Sequence, residues 1–252
     1  MALAAVGLGA AFDSWVRRVD AAAADGFVSV AGTDLGAQTA RIALLANLEP
    51  YVAMGLALVA AALLLGRIAR AVAVAVLLVA TGVTTQALKS SLGHPRAGEI
   101  LGVDLGSWPS GHATAAMTIA LCAVLVAPRV LRGAVAAAGA AYALAVGLGV
   151  LVMEWHFPTD VAGGYLVAMG WTLVTVAVLR RVERPAVASA PRASQRWGWV
   201  MVAALAGGVA ARVDPDAAAS FAQDHTWAAA TTAGLFVLAA ALAATLAAVL
   251  RR

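Results

Sequence analysis

The sequence predicts an all-α fold, a polytopic bundle of membrane helices with a six-helix core and two further helices at the C-terminus. Three observations predict it. Of the 252 residues, 63% are hydrophobic and 12% charged, which is far more apolar and about half as charged as an ordinary soluble domain. The apolar residues fall in blocks rather than amphipathic stripes, the pattern of helices surrounded by lipid. The polar segments between the blocks are sorted by charge, Arg on one side and carboxylates on the other, as in chains that cross a bilayer repeatedly.

Taken in order, residues 2–12 are apolar, too few to span alone, and lack the basic flank of a signal peptide. They read as a short first membrane helix running on toward Trp15. Residues 13–49 mix polar and apolar types. Val16, Val19, Ala23 and Phe27, then Leu35, Ile42, Leu45 and Leu48, recur at roughly helical spacing, which predicts surface-lying helices. Spans follow over 51–66, 71–88, 112–126, 134–153 and 161–179, then a basic Pro-containing linker over 180–196, a short span over 199–211 and a long one over 227–250. The expected division is a membrane core over 1–180, a cytoplasmic basic linker over 181–197 and two added helices over 198–252. From the second span on, no span interior carries a charge, so the usual residues of an intramembrane proton or ion path are missing. The lone Cys122 excludes an internal disulfide.

Charge asymmetry predicts the topology. Arg67, Arg70, Arg129 and Arg132, the linker arginines, and Arg251 and Arg252 share one side, where Glu183 is the one carboxylate. That side, with the C-terminus, is expected to be cytoplasmic. Trp108, Trp155 and Trp227 mark the outer boundary, Trp197 and Trp199 the inner one, and Trp171 falls inside a span, where it is expected to pack. These Trp residues are boundary anchors rather than a stacking surface, and no nucleic-acid partner is expected. Parity then brings Lys89, Arg96, His112, His156 and Asp160 to the outer face, near helix ends.

Pro109-Ser110-Gly111-His112 stands where a polar loop becomes an apolar run. A helix starting there leaves its first N–H groups without intrahelical partners, and they and the helix dipole favour an anion. Ser110 is suited to cap the helix, Gly111 to let a ligand approach the backbone, and His112 to donate a proton from the first turn. Each polar group singly has a blander reading. A His at a helix end is commonly interfacial, Lys89 and Arg96 are long enough to snorkel, and Thr159 or Asp160 is suited to cap the next helix. Their spacing and common face outweigh those readings.

The three segments Lys89-Ser-Ser-Leu-Gly-His-Pro-Arg96, Pro109-Ser110-Gly111-His112 and His156-Phe-Pro-Thr-Asp160 resemble the motifs of the type-2 phosphatidic-acid phosphatase superfamily, which also includes glucose-6-phosphatase and the vanadium haloperoxidases. The resemblance covers residues 51–179. The middle motif matches fully, the first in its Lys-to-Arg spacing and the third in its His-x-x-x-Asp half. It implies a metal-independent lipid phosphatase without cofactor. His156 would attack phosphorus and form a phosphohistidine, Asp160 would hold its other ring nitrogen, and His112 would protonate the leaving oxygen and then activate water. Lys89, Arg96, Ser110 and the Gly111 N–H would hold the phosphate. These roles suit phosphoryl transfer, which needs an in-line nucleophile, positive charge around the equatorial oxygens and a proton for the leaving oxygen. The expected substrate is a lipid phosphate or isoprenyl diphosphate at the outer leaflet of the cell membrane, undecaprenyl diphosphate first, phosphatidate or phosphatidylglycerophosphate second.

The sequence departs from the family pattern in several places. Ala97 follows Arg96, with Pro95 before it, and His94 stands where a further Arg is common. The family's third-motif Arg falls on Val150, with Gly149 where its Ser would be, and Glu154 adds a carboxylate beside the motif. Losing one charge-assisted contact to the transition state costs on the order of 3 kcal/mol, about a hundredfold in rate. Arg41 and Arg212 are candidate replacements. A catalytically degenerate member that binds lipid phosphate or a partner, and a phosphotransferase using an alcohol in place of water, fit the same residues. A transporter or flippase is a further reading, motivated by the added C-terminal helices and opposed by the uncharged span interiors.

Overall fold

Lipid offers no partner for a backbone N–H or C=O, so an apolar run there must bond to itself. The structure, a computed structural model, describes residues 14–92, 108–183 and 215–250. Their elements are α1 (Ser14–Ala31), α2 (Asp34–Ala43), a 3₁₀ turn (Leu44–Ala46), α3 (Leu48–Leu64), α4 (Ile68–Leu92), α5 (Gly111–Val126), α6 (Arg132–Val152), α7 (Pro158–Val182), α8 (Pro215–Asp224) and α9 (Thr226–Val249), with no strand among the described residues. The fold is an all-α polytopic bundle. By length and composition α4, α6, α7 and α9 are each able to cross a membrane. The stretch from α2 through α3, bent by 61° at its break, is a fifth candidate. The expected spans over 2–12 and 199–211 lie outside the described residues.

At the centre is α5. It is short, 16 residues, and 12 of them are buried on all sides, which marks a helix surrounded by protein rather than lipid. It packs against α4, α6 and α7. Small residues set the approach of neighbouring helices: a Cβ on Gly139 would lie 2.9 Å from that of Ala120, and one on Gly147 would lie 2.6 Å from the Tyr165 hydroxyl. Trp171, as its place within a span implies, is packed inside, its indole N–H donating to Thr84 Oγ1 at 2.8 Å.

The N-terminal helices correct one expectation. The apolar stripe through Ala23 and Phe27 exists, but α1 turns it onto protein, burying Asp20, Ala23, Gly26 and Phe27 against α9 and α6. Helix α2 also touches α6, so close that a Cβ on Gly149 would collide with the Thr39 carbonyl, but the residues it buries are Gly36 and Ala43, while Leu35, Leu45 and Leu48 of the second stripe stay exposed. An amphipathic stripe reports that one face is covered; it does not say whether by lipid or by a helix. The C-terminal α9 packs along α6 as well and reaches α1, α5 and α7.

Helix direction alternates, so α5 and α7 end where α4 and α6 begin. Guanidinium groups close that end. Arg67 Nη1 donates to the Val126 carbonyl at 2.6 Å and Arg70 Nη1 to that of Leu125 at 3.0 Å. Arg132 bonds Ala127 at 3.3 Å and Leu250 at 2.8 Å, and Arg180 bonds Val249 at 2.7 Å. Arg70 also grips Glu183 with two bonds of 2.8 Å.

Candidate active site

The opposite end carries the predicted site residues. At the start of α5, Ser110 Oγ accepts the Ala113 N–H at 3.3 Å, the cap its position implied, and its carbonyl accepts the Thr114 hydroxyl at 2.8 Å. A Cβ on Gly111 would meet no atom of the described residues within 4 Å, so none of them crowds the backbone there. At the start of α7, Asp160 occupies the third helical position and its Oδ2 accepts the Phe157 N–H at 2.9 Å. The same oxygen lies 3.3 Å from His156 Nδ1, and Asp160 is 0% exposed. A buried carboxylate bonded to Nδ1 orients the ring and leaves Nε2 as the outward nitrogen. Nε2 makes no hydrogen bond with the described residues, and Asp160 Oδ1 also has no partner among them.

These two helix starts are fastened together. The Ser110 N–H donates to the Asp160 carbonyl at 2.9 Å. Gly164, one turn below Asp160, admits the Ser110 turn: a Cβ there would come within 2.8 Å of the Ser110 carbonyl and 2.9 Å of the Thr114 nitrogen. Neighbouring Gly163 faces the Trp108 indole in the same way. The helix that delivers Lys89 is joined too, through Thr85 Oγ1 to Thr114 Oγ1 at 3.3 Å. Lys89 stands one turn beyond Thr85, half-buried, and makes no ion pair among the described residues. His156 and Lys89 both lie within electrostatic reach of His112, and Asp160 within reach of Lys89. Lys89, Ser110, Gly111, His112, His156 and Asp160 are thus brought to one end of the bundle. Arg96 lies outside the described residues, as does Arg212; Arg41 is exposed on α2.

Two residues that sequence reasoning missed belong to this end. Asp20, from α1, is buried and receives the Thr159 hydroxyl at 2.6 Å and the Thr159 N–H at 3.3 Å. It therefore places a carboxylate at the N-terminus of α7, where the helix dipole favours it. Its signal was present: it is the acidic residue on the apolar stripe of α1. Asn47 had no comparable signal. Its Oδ1 lies 2.9 Å from His112 Nε2, and Trp155 also neighbours that ring, with centroids 5.2 Å apart at 42°.

The position of the missing Arg is also explained. Val150 is 0% exposed within the core, and its carbonyl receives the Trp155 N–H at 3.0 Å. With α2 against Gly149, this stretch of α6 is covered by protein. Glu154, exposed, takes a left-handed conformation (φ 59°) that ends α6. Among the described residues no three His, Cys, Asp or Glu side chains gather as a metal site.

No curated protein and no solved structure matches the chain. The model of the PAP2 superfamily does, over residues 70–184, a segment that contains every one of these motif residues. That segment, a little under half of the chain, is therefore of the PAP2 superfamily, the type-2 phosphatidic acid phosphatases, and this implies phosphatase activity on lipid phosphates.

Proposed function

We propose that this protein is an integral-membrane phosphatase that removes phosphate from a lipid phosphate or an isoprenyl diphosphate through a phosphohistidine. The observation that carries the reading is the His156–Asp160 pair, 3.3 Å apart and bound through Asp160 to the Ser110 turn at the start of α5. The carboxylate holds Nδ1, and Nε2 attacks phosphorus as the bond to the leaving oxygen breaks. Lys89, the free N–H groups around Gly111 and, from the first motif, Arg96 balance the charge on the equatorial oxygens. His112 gives a proton to the leaving oxygen, and in the second step takes one from the water that splits the P–N bond. None of these steps calls for a metal.

The residues lie at helix ends, where a headgroup sits while its tails stay in the bilayer. With the Arg-rich end cytoplasmic, the site opens on the outer leaflet of the cell membrane, and undecaprenyl diphosphate is the first substrate to try, phosphatidate and phosphatidylglycerophosphate the next. The test is phosphate release by the purified protein from a panel of these lipids with chelator present, beside His156→Ala. Turnover that survives in His156→Ala overturns the mechanism. One observation favours a second reading: with Val150 in place of the family's Arg, the phosphate has one cation fewer, as in a member that binds without turnover. Robust turnover by the native protein removes that reading. Phosphate transfer to an added alcohol would assign the same site to a phosphotransferase.

A further inference from the structure

We infer that Asn47 is a positioning residue that decides which nitrogen of His112 carries the proton. Asn47 occupies the N-cap position of α3 yet makes no capping bond with its side chain. The reason is in the next residues. An N-cap amide ordinarily accepts from the second or third helical N–H, and the third position of α3 is Pro50, which has no N–H. With one of its two usual donors absent and the other, the Glu49 N–H, not taken, the amide turns instead to His112, with Oδ1 2.9 Å from Nε2. Trp155 stands against the ring at 5.2 Å and restricts its tilt. The ring is therefore held by a hydrogen bond at one nitrogen and an aromatic neighbour at its side.

An amide oxygen only accepts, so Nε2 is the nitrogen that holds a hydrogen. The other nitrogen, Nδ1, is left for proton transfer. Resting on the phosphatase reading, this assigns the acid–base atom. With the ring protonated, Nδ1–H passes its proton to the leaving oxygen while that oxygen keeps the electron pair of the breaking P–O bond. The product is the neutral Nε2–H tautomer, the form Asn47 already binds. Nδ1 then takes a proton from water as that water attacks the phosphohistidine. Among the described residues the charged and titratable groups that act on this ring are Lys89 from α4 and His156 from the turn before α7, and Asp160 acts in turn on Lys89.

The test uses the full chain in detergent, labelled with ¹⁵N-histidine, with the His112 signals assigned from His112→Gln. At a pH where the ring is neutral, the native protein should show a protonated Nε2 and a bare Nδ1. Asn47→Leu should give a mixture of tautomers and a roughly ten- to hundredfold fall in kcat, with KM changed by less than about threefold. Asn47→Asp keeps an acceptor and adds a charge, so it should retain the Nε2–H tautomer and move the His112 titration, and the matching limb of the pH–rate profile, up by about one pH unit or more. A protonated Nδ1 in the native protein, the amide then presenting its NH₂ to the ring, overturns the inference. So does an unchanged tautomer in Asn47→Leu. Should Asn47→Leu not fold, an unshifted titration in Asn47→Asp overturns it equally. A protein that hydrolyses none of the lipids but whose tautomer depends on Asn47 would sink the phosphatase reading and leave this one standing.

Discussion

The two ends of the bundle use their cations differently. At the Arg-rich end, Arg67, Arg70, Arg132 and Arg180 are spent on carbonyls at the ends of α5 and α9, and Arg70 also on Glu183. At the other end Lys89 is half-buried and has no ion pair among the described residues, and the imidazoles of His112 and His156 face one another's field. Helix direction accounts for the difference. The Arg-rich end gathers the C-termini of α3, α5, α7 and α9, whose free carbonyls attract guanidinium groups. The His-bearing end gathers their N-termini, which need anions; Asp20 and Asp160 supply part of that need, and a phosphate would supply more.

The ends differ in their turns as well. Helices α3 and α6 finish with the same pair of bonds: Gly66 to Leu63 and Arg67 to Ala62, both 2.8 Å, against Glu154 to Leu151 and Trp155 to Val150, both 3.0 Å. Each needs a left-handed residue. At the Arg-rich end it is a glycine at φ 69°; beside His156 it is a glutamate at φ 59°. The relaxed residue sits at the Arg-rich end, and the strained one two positions before His156.

If the contrast is real, substitutions should separate activity from stability by end. The largest effect is expected from His156→Ala, a fall in hydrolysis of about 10⁴-fold or more with little change in thermal midpoint; a large loss of stability instead would make that end structural. Next is Val150→Arg. Adding the family's Arg where the core is closed should destabilise by about 3–5 kcal/mol, read by thermal unfolding in detergent, without raising turnover. Lys89→Met and Arg70→Met form a matched pair. The first should cost about a hundredfold in rate and leave stability alone. The second should cost about 2 kcal/mol of stability, through lost charge-assisted bonds, and leave the rate per folded molecule alone. If both lower the rate equally, the contrast fails.

The turns predict opposite signs. Glu154→Gly should stabilise by about 0.5–1 kcal/mol and Gly66→Ala destabilise by about 1 kcal/mol, measured as shifts in midpoint. The smallest effect concerns pH. Arg70's hydrogen bonds, helped by the charges of Arg67 and Arg132 and opposed by burial, hold the Glu183 carboxyl below its ordinary 4.5. Its contribution is thus complete above that ordinary value and is lost as pH falls through the depressed one. For a partly exposed pair it amounts to less than about 1 kcal/mol. Arg70→Met should flatten this part of the acid-side loss of stability, and an unchanged acid profile would remove the pair from the account.

The all-helical class, the alternating helix direction and the shared end of Lys89, His112, His156 and Asp160 were legible in the sequence, because in lipid an apolar run must satisfy its own backbone and parity then assigns each polar turn to a side. The caps at Ser110 and Asp160 were legible for the same local reason. What only the tertiary structure decided is lateral: that α1 and α2 pack on α6, that Val150 is sealed in the core, that Asp20 reaches Thr159 and that Asn47 reaches His112, 65 positions away. Such contacts depend on which helices stand side by side. Side-chain shape and glycine clearances such as those at Gly149 and Gly164 choose those neighbours, and a hydrophobic pattern records only that a face is covered.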